Sequence, residues 1–83
     1  MPRVDSIRSE IQRLIRAVPF RKFLLSLESG ERIVIEHLEN IAFDPQTGGS
    51  EDFYVISGKL RLFSTFGAVS AVALADRDGA AAV

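Results

Sequence analysis

His37 is the only histidine in this chain, and its side chain alone has an ordinary pKa near neutrality. It stands beside Glu36 and close to Glu39, so a carboxylate could tune it as a general base. No serine or threonine adjoins it to complete a nucleophile–base pair. The same three residues offer ligands for a divalent cation, but as a set too unspecific to define a metal site. The expectation is a histidine at a surface bend. Gly48-Gly49-Ser50 invites a phosphate-loop reading, yet such a loop must open a helix and be followed by lysine. Here Glu51-Asp52 follow, which would repel a phosphate and which have no partner for acid–base work. The segment reads as a flexible hairpin loop. With no cysteine, disulfides, thiol chemistry and thiolate-held zinc are all excluded. These residues predict no catalytic site, no metal, no cofactor and no small-molecule substrate, and therefore no enzyme.

Cations offer a different chemistry. Phe20-Arg21-Lys22-Phe23 interleaves basic and aromatic groups, which could neutralise phosphate and stack bases. The net charge of −1 is unevenly spread. Residues 1–22 hold six basic groups against two acidic ones, a net of +4, and residues 23–83 hold four against nine, a net of −5. Arg8, Arg13, Arg16, Arg21 and Lys22 are thus the candidate nucleic-acid contacts. The plainer alternative is a helix face solvated by arginines, and a third is that the basic segment of one copy meets the acidic body of another.

The elements that would carry these groups follow from periodicity. Val4, Ile7, Ile11, Leu14, Ile15 and Val18 recur at steps of three and four, predicting an amphipathic helix over 4–18. Asp5 or Ser6 could cap its start, Pro19 ends it, and Arg3 and Arg8 flank the stripe. Beyond Pro19 the period becomes two. Phe23, Leu25 and Leu27 share one face of a first strand within 20–28, and Ser29-Gly30 makes the turn. Ile33 and Ile35 alternate with Arg32, Val34 and Glu36 in a second strand, which bends near His37–Asn40 and continues through Ile41-Ala42-Phe43. Residues 45–50 form a loop. The strands 53–57 and 60–65 flank a hairpin turn at Gly58-Lys59, and a last strand covers 69–74. The fold class is mostly β: an N-terminal α-helix followed by a five-stranded, strongly bent SH3-like or Sm-like barrel, partly open, with the helix as its lid.

Eighty-three residues suit one domain, here 1–75, with an Ala-rich flexible tail at 76–83. Apolar types at 47% and charged types at 25% match an ordinary soluble globular chain. No stretch of about 18 apolar residues occurs, and the start lacks an apolar run before a small-residue cleavage site. The expectation is a soluble, cytoplasmic protein without membrane contact.

Leu25-Ser26-Leu27-Glu28-Ser29-Gly30 and Gly67-Ala68-Val69-Ser70-Ala71-Val72-Ala73 resemble the first and last strands of the bacterial Sm-like (Hfq-type) RNA-binding proteins. Leu38–Asp44 falls where that family bends its second strand. The resemblance implies an oligomeric ring that binds RNA, with the five cations named above on its basic face. Pro19-Phe20-Arg21-Lys22-Phe23 and Leu27-Glu28-Ser29-Gly30-Glu31 also resemble a set of short bacterial proteins that open with a helix and a Pro-Phe-Arg-x-Phe strand. That resemblance implies no particular chemistry.

A terminal strand of small and apolar residues, unless covered, recruits another chain by backbone hydrogen bonding. The first expectation is therefore a non-enzymatic interaction module that self-associates through edge strands. Its interface would hold Leu60, Leu62, Phe63, Phe66, Val69 and Val72 together with the helix stripe. The alternative is an Sm-like oligomer binding RNA.

Overall fold

A computed structural model describes residues 3–74, so the tail expected at 76–83 lies outside the described residues. One helix, α1 (Arg3–Arg16), precedes six strands: β1 (Phe23–Leu27), β2 (Arg32–Ile35), β3 (Ile41–Phe43), β4 (Asp52–Ser57), β5 (Leu60–Thr65) and β6 (Val69–Leu74). Short 3-10 turns, Leu38–Asn40 and Phe66–Ala68, precede β3 and β6.

The helix starts before Asp5, which lies in its first turn rather than capping it, where a carboxylate favours the free amides of a helix start. It stops at Arg16, two residues earlier than expected. Pro19 disfavours helical geometry at Val18, and Val18, expected on the apolar stripe, is 95% exposed. The rest of the stripe behaves as its spacing predicts. Ile11 and Leu14 are buried, with Val4, Ile7 and Ile15 packed against the same core.

The strands form two antiparallel three-stranded sheets, in the orders β2-β1-β6 and β3-β4-β5. This corrects the expected five-stranded barrel: there are six strands in two open sheets, and β5 and β6 each pair on one side only. The expected second strand is broken in two at the bend. There the Asn40 side chain takes over the hydrogen bonding, accepting from the His37 amide and donating to the Ile56 carbonyl, both at 2.9 Å. A side chain that satisfies backbone groups in this way offers the chain an alternative to the ladder.

Alternation holds within the strands. Phe23, Leu25, Leu27, Ile33 and Ile35 point inward from the first sheet, and Ile41, Phe53 and Val55 from the second. Both hairpin turns place glycine in the left-handed region, Gly30 at φ 100° and Gly58 at φ 60°, where a side chain would be strained. The two inner faces meet over one core, and α1 packs against the Phe66–Ala68 turn and β6. No helix among the described residues is long and apolar enough to cross a membrane.

Candidate functional site

Two clusters stand out, one polar and inside, the other apolar and outside. The polar cluster centres on Arg8, which is only 2% exposed. Its guanidinium pairs with Asp5 one helical turn back and donates to the carbonyls of Gly49 (3.0 Å) and Ser50 (2.8 Å). It also lies over the Phe66 ring, 5.2 Å from its centroid, a favourable placement for a cation on an aromatic face. Its Nε has no partner.

The 44–50 loop is shaped to meet it. Asp44 accepts from the amides of Gln46 (2.9 Å) and Ser50 (3.4 Å), and Asp5 also accepts from the Gly48 amide at 3.3 Å. Gly48 takes φ 81°. At Gly49 a Cβ would stand 2.4 Å from Asp44 Oδ2, so any side chain there must displace the carboxylate that holds the loop. The segment expected to be a flexible loop is pinned to the helix by a buried arginine. Arg3 reinforces the same end of α1, donating to the carbonyls of Gly67 (3.3 Å) and Val69.

Arg8 is therefore removed from the candidate nucleic-acid contacts, because its donors are turned inward on its own chain. Sequence carried a partial signal for this: Arg8 lies four residues after Val4 and three before Ile11, at the margin of the apolar stripe. The other four cations are exposed. Arg13 pairs with Glu10, whose hydrogen bond and charge raise the Arg13 pKa above its ordinary value. His37 is exposed, and no group of three His, Cys, Asp or Glu side chains able to hold a metal ion occurs among the described residues.

The six residues expected at an oligomer interface divide. Phe66 and Val69 are fully buried, which corrects their assignment. The Phe66–Ala68 turn tucks Phe66 under the sheets, against Phe43 (5.5 Å between centroids) and Phe53 (5.4 Å). Leu62 and Val72 are half-buried and pack on the core. Leu60 and Phe63 are exposed, Phe63 by 67%.

Phe63 belongs to the second cluster. On the outer face of the second sheet, Ala42, Tyr54 and Phe63 stand directly opposite one another across β3, β4 and β5. The Tyr54 and Phe63 rings lie 6.2 Å apart. The rows on either side pair Ile56 with Arg61 and Asp52 with Thr65. Tyr54 and Ile56 are exposed with Phe63, so an apolar strip on this face borders the unpaired edge of β5. Period-two alternation in 52–57 places Tyr54 and Ile56 opposite the core, a signal legible in the sequence but not used for the interface. No family model, no curated protein and no solved structure matches this chain.

Proposed function

We propose that this protein is a non-enzymatic interaction module that self-associates through an edge strand, β5. The observation that carries the reading is Phe63, a large apolar side chain left mostly in water on a strand whose outer edge is unpaired. An uncovered edge of this kind templates a further strand, and an aromatic residue beside it supplies the anchor that such contacts need. Light scattering behind a sizing column tests it. The native chain is expected at a multiple of 9.1 kDa, and Phe63→Lys is expected to weaken assembly by at least about tenfold. A single-chain mass for the native protein at high micromolar concentration would overturn the reading.

A second reading, RNA binding by the assembled protein, is favoured by the exposure of Arg13, Arg16, Arg21 and Lys22. It requires retention of RNA that falls steeply with added salt, because phosphate contacts release counterions. Charge reversal at Arg13 and Arg16 should abolish that retention while leaving the mass unchanged.

A further inference from the structure

Backbone hydrogen bonding in an antiparallel ladder alternates, so every second residue of a strand points its N–H away from its neighbour. The Phe66 amide donates to the Glu51 carbonyl at 2.9 Å, in line with the β4–β5 register of Asp52 opposite Thr65 and Phe53 opposite Ser64. Counting back in steps of two, Ser64, Leu62 and Leu60 face β4. Arg61, Phe63 and Thr65 then turn their N–H groups outward at the free edge. The same three residues place their side chains on the outer face with Tyr54, Ile56 and Asp52.

We propose that two copies of this chain pair β5 with β5, antiparallel, about a two-fold axis through Phe63; this rests on the self-association proposed above. A two-fold axis normal to the sheet keeps outer face beside outer face, so only residues of like parity can oppose one another. With Phe63 opposite itself, Arg61 faces Thr65 of the second copy, and all three outward positions are met. A shift one way sets Thr65 against Lys59 in the hairpin turn, and a shift the other way sets Arg61 against Gly67 beyond the strand. One register alone uses the whole edge.

That register also matches chemistry. The row Ala42–Tyr54–Phe63 continues into Phe63, Tyr54 and Ala42 of the second copy, so four aromatic rings line one unbroken row. In the adjoining row Arg61 lies two strand spacings, roughly 10 Å, from Asp52 of the second copy. An arginine side chain spans most of that distance, and symmetry makes the attraction twice over. Arg61 now donates to the carbonyls of Gly58 (3.0 Å) and Leu60 (3.1 Å) in its own hairpin, and would swing from there across the edge.

The chain has no cysteine, so introduced thiols report without background. In Arg61→Cys/Thr65→Cys, each thiol opposes its counterpart on the second copy with Cα atoms about 5.5 Å apart, within disulfide range. Mild oxidation should give a covalent two-chain species at the mass of the native assembly. Arg61→Cys alone should cross-link poorly, because its thiols sit four residues apart along the pair, roughly 13 Å. A two-chain mass without cross-linking in the double variant, or with efficient cross-linking in Arg61→Cys alone, overturns this register and leaves self-association standing. A native mass above two chains overturns the two-fold arrangement, and a single-chain mass overturns both readings.

Discussion

Two regions of this molecule treat side chains in opposite ways. At the helix end a charged residue, Arg8, is buried and its guanidinium is used by the chain itself, through Asp5, Gly49, Ser50 and Phe66. On the outer face of β4 and β5, Tyr54, Ile56 and Phe63 are exposed, and the Tyr54 and Phe63 rings meet each other rather than the core. Burying a cation is costly unless it is paired and hydrogen-bonded, so the helix end must hold one geometry. An apolar side chain in water costs little to the fold, and it remains available to another surface. The same contrast appears along α1 alone. Asp5–Arg8 and Glu10–Arg13 are both ion pairs three residues apart, but the first is buried and the second lies in solvent. Exposed pairs contribute little, so the helix is fixed to the body by Arg8 and its apolar stripe.

The largest effect should come from breaking the helix end. Arg8→Ala leaves the Asp5 carboxylate without its cation and the Gly49 and Ser50 carbonyls without their side-chain donor, and should cost about 3–5 kcal/mol of stability, read as a fall in the urea midpoint. Arg8→Lys keeps the charge but loses the planar fork and the stacking on Phe66, and should lie between native and Arg8→Ala. A loss below about 1 kcal/mol for Arg8→Ala would show that the loop does not depend on this clasp. Next in size is Gly49→Ala. The added Cβ would meet the Asp44 carboxylate at 2.4 Å and the Gln46 carbonyl at 3.0 Å. Moving that carboxylate disturbs its bonds to the amides of Gln46 and Ser50. Overpacking of this kind should cost about 1–3 kcal/mol in the same urea titration.

Local pattern made the strands legible and non-local pairing hid the clasp. Alternation in 23–27, 32–35 and 53–55 fixed which residues face the core, and glycine with its neighbours fixed both hairpin turns. Helical spacing puts Arg8 at the margin of the apolar stripe, where periodicity cannot tell a buried arginine from a solvated one. The backbone acceptors of Arg8 lie 41 and 42 residues away, beyond anything periodicity can register. Phe66 and Val69 read as interface because Ser64–Val69, small and apolar, looks like one uncovered terminal strand. The intervening 3-10 turn rotates Phe66 into the core, and such a turn leaves no alternation to read. The split of the second strand depends on one side chain, Asn40, whose partner Ile56 is 16 residues on.

The smallest effect on the fold should come from the apolar end. Phe63 is 67% exposed, and in its own chain it meets Tyr54 across the sheet. Losing such a cross-strand pair costs no more than about 1 kcal/mol, and little core area is lost with it. Phe63→Lys, unfolded by urea at a concentration dilute enough to keep chains apart, should therefore match the native midpoint to within that amount. The same substitution should lower the mass of the concentrated protein, because two lysines would meet at the axis where two phenylalanines stood. Arg8→Ala should do the reverse, losing stability at any concentration without acting on the β5 edge directly. If Phe63→Lys instead lost as much stability in dilute solution as Arg8→Ala, Phe63 would be part of the fold. The contrast between a self-satisfied end and an available one would then fail.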